Sequence, residues 1–407
     1  MSIADFSGRT RRDACPGALQ VHEAADGPLA RVRLPGGAVS PAQLRELAAC
    51  AAELGSGVIE LTSRANVQVR GLRSPAVFAS RIAAAGLLPS AAHERVRNIV
   101  ASPLGGRGPS GCLDTELLAR ALDEALCGSP DLAELPGRFL FALDDGTGDV
   151  IGLGADVTFA TTGSDERPPS AGTPGERPPA PSERPPAAGG RLLLAGVDTG
   201  LTAGQDAAVS LMIAAARAFL GERAGGGAWR VHELTDGPAR IAARLGGLAA
   251  AGARTSTGVG RPRPGRMAQR NGRVAVEAVV PLGRLSAAQA RALAGSGAVI
   301  RLTPWRTAML LDLSPTEAEH AGKALDAAGL ATDPGSPWAG VTACTGQPGC
   351  AKALADVRAD ARRWVESLDD APETPVHWSG CERRCGLPRG RVVQMIATTE
   401  GYEEHHQ

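Results

Sequence analysis

The sequence predicts an α+β protein built by tandem duplication. Three observations carry this expectation: helix-start signals that recur at a near-constant offset, strand-like segments that follow each of them in the same order, and four cysteines gathered near the end of the second copy. Ser40-Pro41-Ala42-Gln43 reads as a helix start, with Ser40 as N-cap, Pro41 at the first helical position and Gln43 closing a capping box. Val39 and Leu44 flank it as a hydrophobic staple. The helix stops before Gly55, and the alternating segments Val58 to Leu61 and Asn66 to Val69 read as strands. Ser74-Pro75 opens a second helix that ends at Gly86.

The second half repeats this order. Ala275 to Gly283 is a strand, Ser286 to Gln289 is a second capping box, and VIRLT and TAMLLDL continue as strands. Ser314-Pro315-Thr316-Glu317 caps a helix that stops at Gly329. Ser40 matches Ser286, Ser74 matches Ser314, and Gly86 matches Gly329, at offsets of 246, 240 and 243 residues. Agreement this close implies a repeated unit. The expected domains are 1–86, 87–225, 226–332 and 333–407, with a Pro-rich insertion at 162–190 in the second of them.

Other segments fill in around the repeat. Residues 1–14 are polar and expected to be loosely held. Ala14 to Gly37 gives two short apolar segments around a turn at Ala25-Asp26-Gly27. Leu135 to Phe159 predicts a twisted hairpin with Asp145-Gly146 at its tip. The insertion, in which Glu-Arg-Pro-Pro occurs three times, lacks apolar periodicity and is expected to be exposed. RLLLAG and a helix over Ala207 to Leu220 complete the first half.

Composition narrows the function classes. Lys+Arg and Asp+Glu balance at 43 each, so no global charge argues for nucleic-acid or membrane partners. Lys323 and Lys352 are the only lysines, so nearly all the positive charge is arginine, whose planar fork suits carboxylates. Aromatic residues make up 3% of the chain, which leaves Ala, Val and Leu to build the core. No apolar run reaches the length of a membrane span, and nothing at the N-terminus resembles a secretion signal. A cytoplasmic protein is expected.

The chemistry is concentrated in ACTGQPGC and SGCERRCG, which place Cys344 and Cys350 as C-x5-C and Cys381 and Cys385 as C-x3-C. A helix over Ala351 to Leu368 is expected between the pairs, with Leu354, Val357, Ala361, Trp364 and Leu368 on its buried face. Four thiolates on two glycine-containing loops make a soft-metal site. Structural zinc favours C-x2-C knuckles, a disulfide is disfavoured in a reducing compartment, and a [4Fe-4S] cluster suits longer spacings. Zinc stays open as the alternative. Cys15, Cys50, Cys112 and Cys127 have no metal-like spacing, and Cys50 and Cys127 fall in helical patterns.

C-x5-C followed by C-x3-C near the end of a two-copy chain resembles the cluster motif of the nitrite and sulfite reductase superfamily. That resemblance implies ferredoxin-like half-domains at 1–86 and 226–332, an α/β domain after each, a [4Fe-4S] cluster, and in the reductases a sirohaem bridged through the position of Cys385. It also implies basic residues over the macrocycle face. TSRANVQVRG maps one of them to Arg64 and VRNIVAS another to Arg97, while LPGRFLF maps a third to Arg138 and places Leu140 where sulfite reductases carry a second lysine. Arg70 and Arg73 read as solvated surface charge, and Glu60 has no assigned role.

Within the superfamily, ACPGALQVHEAADGPLARVRLPGG, FLFALDDGTGDVIGLGADV and SGCERRCGLPRG look like the precorrin-3B synthases of aerobic cobalamin synthesis. This implies a monooxygenase that hydroxylates precorrin-3A at C20 with lactone formation, using O2, an electron donor and a mononuclear non-haem iron beside the cluster. Its substrate-binding residues would be Arg64, Arg97 and Arg138. His22, His93, His232 and His377 are scattered, no 2-His-1-carboxylate spacing appears, and no iron ligand is assigned. The alternative enzyme is a sirohaem-dependent nitrite or sulfite reductase. A third class is a tetrapyrrole carrier or zinc-stabilised binding module without catalysis.

Overall fold

The computed structural model describes residues 13–161, 189–223, 227–247 and 264–406. The first twelve residues lie outside it, as does the Pro-rich insertion except for Gly189 and Gly190. Four sheets organise the described chain.

Two sheets are antiparallel and belong to the repeated unit. The first runs in the order His22–Ala24, Gly27–Val32, Val67–Val69, Val58–Leu61, Arg284–Ser286. The second runs Gly265–Ala268, Val274–Val279, Thr307–Leu313, Val299–Leu302, Ala38–Val39. Each sheet thus takes its last strand from the other half: Leu285 pairs with Ile59, and Val39 with Ile300. The exchanged strands lead straight into helices Pro41–Leu54 and Ala287–Gly295, which pack on each other. One apolar core follows, running from Leu44, Leu47 and Ile59 through to Leu285, Leu293 and Ile300. The exchange makes the halves interdependent. Leu285→Ala is expected to cost about 3 kcal/mol and to destabilise both halves in a single transition, which denaturant unfolding followed by two probes would test.

The caps explain why these helices begin where they do. Ser40 Oγ accepts from Gln43 N at 3.1 Å while Gln43 Oε1 accepts from Ser40 N at 3.0 Å, and Ser286 with Gln289 repeats the pattern. Ser314 and Glu317 form a third capping box, whereas Ser74 makes no side-chain cap. The duplication extends further: Gln43 Nε2 reaches Ala85 O, and Gln289 Nε2 reaches Gly329 O.

The other two sheets share a parallel, parallel, antiparallel order. In the first half, Ile99–Ala101, Phe141–Asp144 and Val157–Thr161 run parallel, and Gly190–Leu194 returns antiparallel, followed by Val197–Ala203. In the second, Val341–Ala343, Val376–Ser379 and Val393–Ala397 run parallel, and Tyr402–His406 returns. Helices Thr115–Cys127 and Gln205–Arg223 cover the former, and helix Val357–Val365 covers the latter.

Two expectations need correction. Leu135 to Phe159 is not a hairpin, because Phe141–Asp144 and Val157–Thr161 are parallel neighbours. Asp144 explains the detour between them: its carboxylate accepts from the N–H groups of Gly146, Gly148 and Val150, folding the chain into a loop that a two-residue turn signal does not reveal. The helix expected over Ala351 to Leu368 spans only Val357–Val365, and Leu354 is 51% exposed. Backbone groups before Asp356 serve the cysteine loops instead: Leu354 N donates to Gly380 O, and Ala355 O accepts from Gln347 N. Asp356 then caps the shortened helix through Ala359 N.

Candidate functional site

The parallel strands Val341–Ala343 and Val376–Ser379 end side by side, so the loops that follow them leave from one edge. Cys344 and Cys381 are carried on those loops, and Cys344 N donates to Trp378 O at 2.9 Å. Gly380 N points at Cys344 Sγ from 3.1 Å, the kind of amide donor that favours a thiolate. A Cβ at Gly380 would meet Ala353 Cβ at 2.7 Å, so glycine permits this close approach of the two loops. Partial desolvation raises the Cys385 thiol pKa, and the neighbouring Cys344, Cys381 and Cys350 raise it further. Cys344, Cys350 and Cys381 thus all lie within electrostatic range of Cys385. Among the described residues, no three His, Cys, Asp or Glu side chains form a group that could hold a metal ion. The donor set, four thiols with no carboxylate or imidazole, fits an iron–sulfur cluster in chemical type.

Beside Cys385 opens a cleft of about 250 Å³. Gly386 and Leu387, which follow that cysteine, form one wall. The opposite sides come from two turns that the duplication relates. Thr62 N donates to Asn66 O in one, and Thr303 N donates to Thr307 O in the other, with Ala65 and Arg306 both at positive φ. The first turn delivers Arg64 and the second delivers Trp305 and Arg306. Among the described residues, Arg230, Arg389 and Arg391 bring the lining arginines to five, and no carboxylate lines the cleft.

These arginines are held in different ways. Burial lowers the Arg64 pKa to about 10, with Arg230 next in effect, and its Nη1 lies 3.4 Å from Gly137 O. Arg230 donates Nε to Asp156 at 2.6 Å and Nη2 to Gly154 O. Asp156 is fully buried and also accepts from Leu140 N and Val231 N, which fixes this side of the wall. Arg306 donates to Gly386 O at 3.2 Å, bridging its turn to the cysteine loop. Leu140 does line the cleft, so the missing second lysine leaves an apolar surface there.

Of the three arginines expected to bind substrate, the structure brings only Arg64 to the cleft. Arg97 is turned away: its guanidinium makes a bidentate pair with Asp123 at 2.6 Å to both oxygens, and it is 4% exposed. Because α/β packing surrounds that pair, Arg97→Ala is expected to cost about 3 kcal/mol in stability while leaving the affinity of the folded protein for ligand unchanged. Thermal unfolding and ligand titration on one sample check both. Arg138 lies over Trp229, 4.9 Å from the ring centroid, with its side chain 55% exposed and Asp13 at 3.9 Å, outside the cleft lining.

Arg70 also departs from its expected role as surface charge. It is buried, pairs with Asp26 and donates to Gly349 O in the cysteine loop at 2.6 Å. Arg73 is exposed, as expected. Arg33 was not singled out in the sequence, yet it is 2% exposed, and only Nη2 is bonded, to Arg95 O. Burial lowers its pKa to about 9, with neighbouring Arg31 adding to the effect. The available signal was LARVRLPGG, where Arg31 and Arg33 alternate with apolar residues and so share one face of a strand. Trp305 and Arg306 were recoverable by applying the repeat offset to Ser63 to Ala65. Two histidines have structural partners: His93 contacts Ser90 and Ser129 O, and His377 contacts Thr342.

The model of the nitrite/sulfite reductase ferredoxin-like half domain matches residues 22–79 and 267–328, the two antiparallel units. A precorrin-3B synthase from a Sinorhizobium species is 28% identical over 96% of this chain and 82% of its own length. The ferredoxin–nitrite reductase of Synechococcus elongatus is 33% identical, but over 29% of this chain and 25% of its own length. The fold resembles that of the Mycobacterium tuberculosis NirA protein, with a TM-score of 0.72 and 23% identity, covering 93% of this chain and 73% of that one. The chain thus carries two copies of the nitrite/sulfite reductase ferredoxin-like half domain, shares the fold of NirA, and is similar to a precorrin-3B synthase over nearly its full length.

Proposed function

We propose that this protein is a precorrin-3B synthase, an O2-dependent monooxygenase that hydroxylates precorrin-3A at C20 and closes a lactone. The observation that carries this reading is the cleft lined by five arginines, with no carboxylate, adjoining Cys385. Precorrin-3A carries a fringe of acetate and propionate groups, and arginine pairs them bidentately, which fixes the register of the ring. Leu140 adds support: reduction of a small oxyanion calls for crowded positive charge, whereas a macrocycle also needs apolar wall. The reductase relatives match only part of this chain, while the synthase matches nearly all of it. That favours the synthase over a sirohaem reductase.

In this reading Cys344, Cys350, Cys381 and Cys385 hold a [4Fe-4S] cluster, which when bound supplies electrons one at a time. The chain's own residues do the rest. Arg64 and Arg306 bind carboxylates from opposite turns, Arg230 is oriented by Asp156, and Trp305 and Leu140 shield the ring from water. The electron donor and a mononuclear iron enter from the family association, and no residue is assigned to that iron. No described helix is long and apolar enough to cross a membrane. We assign the protein to the cytoplasm, where the reduced substrate is made.

The test is an absorption spectrum of anaerobically purified protein with iron, zinc and acid-labile sulfide measured on the same sample, followed by turnover of precorrin-3A under labelled O2. Cluster absorption without a Soret band, and one labelled oxygen in the product, are expected. A Soret band with reduction of sulfite or nitrite would establish the reductase, and stoichiometric zinc without iron would establish the binding module.

A further inference from the structure

We propose that Glu60, a carboxylate of the first half, is the positioning residue for the cysteine loop of the second half. The inference rests on the cluster assignment above but not on the identity of the substrate. Glu60 is 4% exposed on strand Val58–Leu61. It accepts from Gln68 Nε2 at 2.8 Å and Arg284 Nη1 at 2.9 Å, and it pairs with Arg358 Nη2 at 2.7 Å. Arg358 stands in the first turn of helix Val357–Val365 and turns its Nε to Cys344 O at 3.2 Å. One guanidinium thus joins the buried carboxylate to the backbone of the first cysteine. At the far end of the same loop, Arg70 grips Gly349 O and is itself fixed by Asp26. The stretch from Cys344 to Cys350 is therefore clamped at both ends by the first half-domain.

The duplication supplies an internal comparison. The residue that matches Glu60 in VIRLT is Arg301, and the helix residue that matches Arg358 is Glu116. These two also pair, at 2.6 Å, with the charges exchanged. The same contact between a half-domain strand and the first turn of a neighbouring helix is thus built twice with opposite polarity, and only the Glu60 copy touches a cysteine loop. Exchanged polarity has a consequence: docking the cysteine-bearing lobe on the wrong sheet would set Arg358 against Arg301, and like charges at a buried contact reject that arrangement. Glu60 therefore both selects the lobe and aims its loop.

Purified holoprotein carries the test. With Glu60→Gln, an isosteric change, iron is expected to leave to a chelator about tenfold faster, as for other outer-shell partners of metal ligands. The electron paramagnetic signal of the reduced cluster is expected to change shape, and its midpoint potential to rise, because Arg284 and Arg358 lose their counter-charge. Glu60→Arg is expected to lower iron per chain, and Glu60→Arg with Arg358→Glu to restore it. Arg301→Glu serves as the control for fold damage, with thermal unfolding of the apoprotein measured throughout. It is expected to destabilise the chain while leaving the cluster signal unchanged. Equal iron retention and an unaltered signal in Glu60→Gln would overturn the inference, as would loss of iron in Arg301→Glu matching that in Glu60→Arg. Wild-type protein without iron or sulfide would instead overturn the cluster assignment.

Discussion

Cys385→Ser is expected to reduce iron and acid-labile sulfide to background, or to leave a cluster lost within minutes of exposure to air, while the apoprotein melts within about 0.5 kcal/mol of wild type. The asymmetry follows from where the residue sits. Cys385 is exposed at the rim of the cleft, so its thiol contributes little packing, and a hydroxyl there creates no cavity. What the substitution removes is the fourth soft donor, since serine oxygen is a hard and poorly ionised ligand. The thiol lies close enough to Cys344, Cys350 and Cys381 for each to perturb it, which supports the proposal of one shared centre. Activity should fall with the iron content. Full iron and sulfide in this variant would remove Cys385 from the ligand set and return the cysteines to the zinc or unligated readings.

What could be read from the sequence, and what could not, divides along local and non-local lines. Capping boxes, turn glycines and strand alternation are local, so Ser40, Ser286 and Ser314 announced their helices and the repeat offset announced the duplication. The cysteine spacing is likewise local, and it singled out Cys344, Cys350, Cys381 and Cys385 as one candidate donor set. The exchange of strands Ala38–Val39 and Arg284–Ser286 between sheets was not legible, because the two copies have nearly the same pattern and either sheet could accept either strand. The shortened helix after Cys350 failed for a related reason. Its apolar spacing was genuine, but distant loops claimed the backbone groups of Leu354 and Ala355.

The arginines show the same division. A motif resemblance singled out both Arg64, which lines the cleft, and Arg97, whose charge is neutralised by Asp123 on helix Thr115–Cys127, a partner that no motif around Arg97 contains. Arg70 looked like surface charge because its two partners, Asp26 and Gly349, lie 44 and 279 residues away. Burial and pairing of arginine depend on tertiary neighbours, so in a chain with this much arginine the residue type carries little information by itself. Position on an alternating strand carries more, as Arg31 and Arg33 show.

The contrast between Arg64 and Arg230 gives the second large effect. Arg64→Ala is expected to weaken binding of the carboxylated substrate by about 2–4 kcal/mol, roughly 30-fold or more, with little change in stability. Its half-buried side chain lies near Arg230 and Arg31 as well as Asp156, and its side-chain hydrogen bond, at 3.4 Å to a carbonyl, is long. Removing it relieves repulsion in the free protein even as it deletes a partner for the ligand. Arg230→Ala should behave in the opposite way. It leaves Asp156, fully buried, without its cation, a loss of about 3–5 kcal/mol in stability. Asp156 also anchors Leu140 N and Val231 N, so that side of the wall should loosen, and substrate affinity should fall only as far as the wall moves. Arg230→Ala with Asp156→Asn should recover part of the stability, because the amide oxygen replaces only one of the two acceptors used by Leu140 N and Val231 N, without restoring affinity. Calorimetric unfolding and substrate titration across the four proteins separate a residue that holds the ligand from one that holds the wall. If Arg64→Ala bound the substrate as tightly as wild type, the arginine-lined cleft would not be the macrocycle site, and the proposal of a tetrapyrrole oxygenase would lose its structural basis.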